Sequence, residues 1–214
     1  MNQAEIDADE VEYTFPVHPG HGRYKDVNGD GVINSADRTI IGNAQPDFTW
    51  ALTNNFRYKG FDFSFMFHGS VGGDFYFADN RRSLFYHEGR NYLSELNNRW
   101  RSEEEPGDGY HYKLSVDIAG LEKVASSYWI TDGTYTRLKD VTLGYTLSDR
   151  FTQRIGLASI RVFFNGTNLL TIQATSAIDP ENSSGSITDP ATIGVQHSPY
   201  PSAKNYSLGI NVKF

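Results

Sequence analysis

The chain contains no cysteine, which excludes a disulfide framework, a zinc–thiolate site and a cysteine nucleophile. It also lacks a basic surplus. Nineteen Lys and Arg against 26 Asp and Glu give a formal charge of -7, the wrong sign for a partner made of nucleic-acid phosphate. No run approaches the roughly 18 apolar residues of a transmembrane helix. The opening MNQAEIDADEVEYTFP has neither a basic nor an apolar region of the kind a secretory signal needs. The chain is therefore expected either to be cytoplasmic or to follow a segment upstream. No G-x-S-x-G, H-E-x-x-H or phosphate-cradling glycine loop occurs, so no enzyme is expected.

What is abundant is aromatic: 14% Phe, Trp and Tyr, in a chain whose mean hydropathy is -0.50. Many rings in a hydrophilic chain suggest β structure carrying large polar loops. Five stretches alternate with period 2. In 47–58, Phe48, Trp50, Leu52, Phe56 and Tyr58 share one parity, with Asn54 the exception. In 61–73, Phe61, Phe63, Phe65 and Phe67 alternate with Asp62, Ser64, Met66 and His68, and Lys59-Gly60 is the turn between these two arms. The stretches 133–147, 159–172 and 204–214 alternate likewise. Arg137 and Lys139 share parity with Val141, so either they lie above the apolar zone or a bulge near Asp140 flips the phase.

The connections between these strands are short at 59–60, long at 74–128, short at 148–158 and long at 173–203. Alternating short and long connections are a habit of outer-membrane barrels, whose turns are short on the periplasmic side and long outside. One face of a β-sandwich would give the same alternation of residues; the loop lengths favour the barrel. The reading is all-β, a transmembrane antiparallel barrel segment over 46–214, with 1–45 an extracellular loop and the C-terminus periplasmic.

Within 1–45, DVNGDGVINSAD has the spacing of a calcium loop. Asp26, Asn28 and Asp30 stand at loop positions 1, 3 and 5, Val32 offers a backbone carbonyl at 7, Asn34 stands at 9 and Asp37 at 12. Gly31 suits the sharp left-handed turn. Asp37 is one methylene shorter than the usual Glu, and neither an amphipathic flanking helix nor a second such loop is present. A structural Ca²⁺ is expected here rather than a sensor; the alternative is an Asx-rich turn without an ion. His18 and His21 are too weakly supported for a metal pair, and EEEPGD at 103–108 reads as a solvated tip.

Four separated motifs, YKDVNGDGVINSADRTIIGNAQPDFTWALTNNFRYKGFDFSFMFHGSVGGD, DGTYTRLKDVTLGYTLSDRF, RVFFNGTNLLT and YSLGINVKF, occur in one order. Together they resemble the C-terminal part of SusC/RagA-type TonB-linked outer-membrane transporters, from about Gly22 to Phe214. The resemblance implies the last five or so strands of a roughly 22-stranded plugged barrel. An open five-stranded sheet cannot sit alone in lipid, so the chain is expected to be one piece of something larger. It also implies import of oligosaccharides or other large nutrients, energy from TonB through a part not present here, and a SusD-like surface lipoprotein. The terminal Phe214, with Tyr206, Leu208, Ile210 and Val212 before it, resembles the signal read by the barrel-assembly machinery. Trp100, Tyr110 and Tyr112 are loop aromatics that could stack on sugars or pack on their own loop. The main rival is a secreted β-sandwich carbohydrate-binding module with one structural calcium, whose apolar strand faces would meet in a core.

Overall fold

A computed structural model of the protein describes residues 1–77, 94–114, 126–174, 179–181, 192–196 and 200–214. The chain forms two compact units, one of residues 1–42 and 76–130, the other of 43–75 and 131–214. Ten strands occur among the described residues: β1 (Glu12–Tyr13), β2 (Val32–Ile33), β3 (Phe48–Tyr58), β4 (Phe61–Val71), β5 (Asp74–Phe77), β6 (Ile130–Asp132), β7 (Tyr135–Thr146), β8 (Ser159–Gln173), β9 (Val195–Gln196) and β10 (Asn205–Lys213).

The second unit is built on a five-stranded antiparallel sheet in the order β10-β8-β7-β4-β3, so strands that follow one another along the chain pair side by side. Lys59 (φ 46) and Gly60 (φ 88) both take the left-handed conformation, as a two-residue hairpin turn that follows the strand twist requires. At the same end, Leu147 N–H donates to Ile160 O (2.9 Å) and Ala158 N–H to Lys213 O (2.8 Å), closing a connection whose middle is the short helix Asp149–Arg154.

Cross-strand pairs place side chains on a common face. Leu52↔Phe67, Phe56↔Phe63, Phe65↔Val141, Leu143↔Phe164 and Val162↔Ile210 lie on one side; Asp62↔Gly144, Thr142↔Asn165 and Arg161↔Asn211 lie on the other. Every exposed large apolar side chain on the five strands is on the first side, from Phe48 and Tyr58 to Leu208, which is 82% exposed. A sandwich would bury that face against a second sheet, each Leu or Phe contributing about 1.5–3 kcal/mol. Here it stays open.

The alternation of β7 is interrupted. Met66 pairs with Asp140 and Phe67 with Leu138, so Lys139 is the extra residue of a bulge, and across β8 the pairing jumps from Leu138↔Leu170 to Asp140↔Thr167. Asn168 in that jump takes φ 55. The bulge resolves the parity conflict seen in the sequence: Arg137 pairs with His68 and Thr171 on the polar face, while Leu138 pairs with Phe67 on the apolar one.

The first unit differs from a bare loop. Asn2 caps a short helix, Gln3–Asp7, through a capping box with Glu5. β1 and β2 pair in parallel, and part of what the sequence presents as the 74–128 loop belongs to one compact unit with residues 1–42. Lys113 N–H donates to Gly20 O (3.0 Å), the Trp100 ring lies over Gly20 and the Tyr112 ring over Gly22. Leu96 and Trp129 form the small core of this unit, with Tyr76, Tyr112, Leu114 and Tyr128 around it. Ser94–Asn98 forms a 3-10 segment of this unit.

Candidate functional site

Among the described residues, three hydrogen-bonded clusters on the polar face of the sheet include charged side chains. Nearest the short turns, Arg161 of β8 meets Asp62 of β4: Nε donates to Oδ1 at 2.8 Å and Nη2 to Oδ2, a forked pair. Midway, Asn165 Nδ2 donates to Asp140 Oδ2 (2.8 Å) and to Thr142 Oγ1 (2.9 Å).

The third cluster, toward the long-loop end, draws in residues from outside the sheet. The Arg137 side chain is 4% exposed. Its Nε donates to Thr171 Oγ1 (2.8 Å), its Nη2 to Asp179 Oδ1 (2.6 Å) and its Nη1 to Glu181 Oε2. Lys139 Nζ reaches the same Glu181 oxygen at 2.7 Å. His68 Nε2 abuts Glu181 Oε1 without hydrogen-bond geometry. The Ser202 amide donates to Asp179 Oδ2 at 2.6 Å. Burial by itself would raise the Asp179 carboxyl; the Arg137 guanidinium and the Ser202 amide outweigh it and hold the pKa at about 2. Glu181 is likewise lowered against its burial, by Lys139 and Arg137. Beside this cluster opens a cleft of about 630 Å³, lined by Ser70, Phe75, Tyr135, Lys139, Glu181 and Ser202 among others. The sequence offered the cations but not their partners, because Asp179 and Glu181 carry no motif and sit far along the chain.

The calcium-type loop is a set of interlocked turns. Asp26 Oδ1 accepts from Gly29 N–H (2.6 Å) and Oδ2 from Gly31 N–H (2.8 Å). Asn28 Oδ1 accepts from Asp30 N–H, and Asp30 Oδ1 from Val32 N–H, each at 2.9 Å. Gly31 has φ 81, the left-handed turn expected there. Asn34 Oδ1 accepts from Ala36 N–H at 2.7 Å. Asp37 closes the loop on the amides of Asn34 (2.8 Å) and Val27 (2.9 Å), and these bonds lower its pKa. Ile33 at position 8 is buried and anchors the loop through β2. Among the described residues no three His, Cys, Asp or Glu side chains gather as a ligand group. The hard oxygens nonetheless suit calcium, since a carboxylate that accepts two N–H bonds keeps about two further lone pairs.

The loop aromatics pack on their own unit. Tyr128 stacks with Tyr110 (4.8 Å) and with Tyr112 (4.5 Å). Asp108 accepts from the amides of Tyr110 and His111 and from the His111 ring; burial opposes these bonds, yet its pKa falls to about 2. On β10, Tyr206, Leu208, Ile210 and Val212 share the apolar face, and Phe214 follows, 92% exposed.

No protein-family model matches the chain. It is 34% identical over 206 residues to TonB-dependent receptor P3 of Formosa agariphila, taking in 92% of this chain and 19% of that receptor. TonB-dependent receptor SusC of Bacteroides thetaiotaomicron is 27% identical over 201 residues, 92% of this chain and 18% of its own length. Among solved structures, the RagAB peptide importer in its closed-closed state shares the fold with a TM-score of 0.65 at 24% identity, covering 88% of this chain and 20% of the matched one. Sheet and likenesses together define a β segment of the TonB-dependent receptor class. Within that class, the chain belongs to the SusC/RagA family. It spans about a fifth of the length of the relatives it matches.

Proposed function

We propose that the chain supplies wall strands and surface loops to an outer-membrane importer that draws energy from TonB and takes up oligosaccharides or other large nutrients. The observation that carries this reading is the division of one sheet into an open apolar face and a hydrogen-bonded polar face. In a barrel wall the first meets lipid and the second lines the interior. Closure into a roughly 22-stranded barrel would pair the free edges of β3 and β10, which hydrocarbon does not tolerate unpaired.

A SusD-like lipoprotein at the outer mouth is the partner proposed, together with TonB below and the barrel-assembly machinery during insertion. For the last, the apolar alternation of β10 and Phe214 is the signal. A structural Ca²⁺ on Asp26, Asn28, Asp30, the Val32 carbonyl, Asn34 and Asp37 would stiffen the loop ahead of β3 on the outer side.

The test is made on the intact receptor in its own host. It is expected to fractionate with the outer membrane, to copurify with a surface lipoprotein, and to support growth on its nutrient only when TonB is functional. Recovery in a soluble fraction, or uptake indifferent to TonB, would overturn the reading.

A further inference from the structure

Glu181 is not a wall residue, yet it closes a cationic site of the wall. Two strands bring His68, Arg137 and Lys139 together on the polar face: Arg137 and His68 as cross-strand partners, Lys139 through the bulge. Two of these are permanent cations, and the third is one when protonated. The carboxylates that meet them come from residues 179–181, reached across 42 positions of sequence from Arg137 to Asp179. Asp179 binds Arg137 through one oxygen and the amide of Ser202 through the other, so both ends of the β8–β10 connection are tied at one carboxylate. Among the described residues, Glu181 alone faces all three cationic side chains.

We infer that residues 179–181 form a strap across the polar face and that Glu181 is a tethered occupant of an anion site made by His68, Arg137 and Lys139. Two features single out Glu181 rather than Asp179 as the exchangeable group. Glu181 lines the open cleft beside Lys139, whereas Asp179 does not. The Glu181 side chain is also 13% exposed against 4% for Asp179, and the Lys139 side chain is 39% exposed. Arg137 offers a planar fork and Lys139 a mobile point charge, the pair of donors that suits a carboxylate. A solute carboxylate entering the cleft meets Lys139 first and competes with Glu181 for it, while Asp179 keeps Arg137 neutralised. The solute class is therefore one bearing carboxylates, whether an acidic sugar or an acidic peptide.

This inference rests on the polar face being the solute side, but its test does not. In the intact receptor in detergent, hydrogen exchange at the Ser202 amide is compared between wild type and Arg137→Gln. The strap requires exchange to rise about tenfold or more, the scale on which one charge-assisted hydrogen bond is lost; unchanged exchange overturns it. Should Arg137→Gln fail to fold, Asp179→Asn gives the same readout. Calorimetry then compares trigalacturonate and triglutamate, with maltotriose as the neutral control, on wild type and Glu181→Gln. At least one acidic probe is expected to bind about tenfold more tightly once the tethered carboxylate loses its charge. Which probe gains separates sugar from peptide. Equal binding to both proteins, or a gain shared by maltotriose, contradicts the anion site.

Discussion

Arg161 and Asp62 meet directly over Gly144. The two side chains come from β8 and β4, on either side of β7, and their fork crosses the one β7 residue without a side chain. A Cβ at Gly144 would lie 2.4 Å from Arg161 Nη2 and 2.5 Å from Asp62 Oδ1. The glycine is thus the clearance for an ion pair that bridges three strands.

Gly144→Ala should act through that pair. The atoms it meets are the ends of side chains, so the pair parts and the backbone stays. The expected cost is about 1–3 kcal/mol, that of a charge-assisted hydrogen bond left unmade. In a double-mutant cycle, Gly144→Ala should cost almost nothing further once Asp62 is Ala. Additive costs in guanidinium unfolding would mean that the glycine serves the backbone instead.

The two faces should respond oppositely to charge. Leu52 and Thr53 are neighbours near the middle of β3, on the apolar and polar sides respectively. Leu52→Arg is expected to cost about 2–4 kcal/mol if that face meets the middle of a bilayer, and Thr53→Arg about 0.5 kcal/mol or less. The yield of folded, heat-modifiable receptor in the outer membrane reads the difference.

Much of this sheet was legible beforehand, because alternation of large apolar with polar residues survives any context that leaves one face in an apolar medium. The stretch 47–58 falls on β3 at Phe48–Tyr58, and 159–172 on β8 at Ser159–Gln173. Arg137 was visible as a violation of parity, and the bulge at Lys139 is the physical form that violation takes. Its acidic partners were not visible, since a carboxylate in a long connection has no period to betray it. The packing of the 94–114 region with residues 1–42 was hidden for the same reason. It depends on single encounters such as Trp100 over Gly20.

The strap should be sensitive to acid in one direction only. Asp179 is held at about 2 against an ordinary 3.8, so its contribution is present above about 3.8 and is lost as the pH falls toward 2. That contribution is about 2 kcal/mol. Hydrogen exchange at the Ser202 amide should therefore be flat from neutral pH down to about 5, after correction for the intrinsic rate, and should lose protection between about 4 and 2. Protection already lost near pH 6 would assign the latch to a histidine instead.

If the proposed calcium site is occupied, chelation should loosen one loop and leave the sheet alone. With EDTA, proteolysis within residues 20–45 of the intact receptor is expected to quicken severalfold, and Asp26→Asn should abolish the response. The backbone bonds of Asp37 persist without metal, so global unfolding should not change. A cleavage rate indifferent to EDTA would leave an Asx-rich turn held by its own amides.

The most direct measurement of the central claim is a nitroxide scan of the intact receptor in bilayers, at single cysteines placed along β7 and β8. Oxygen is expected to relax labels at Leu138, Leu143, Phe164 and Ile172 more strongly than a water-soluble nickel chelate does, and the chelate to dominate at Arg137, Thr142 and Asn165. Leu138 and Thr142 have the same parity, so their opposite behaviour would fix the phase change at Lys139 along with the lipid face. Labels on both faces that relaxed alike, or an alternation that ran through Lys139 without a break, would contradict the assignment of this sheet to a membrane wall.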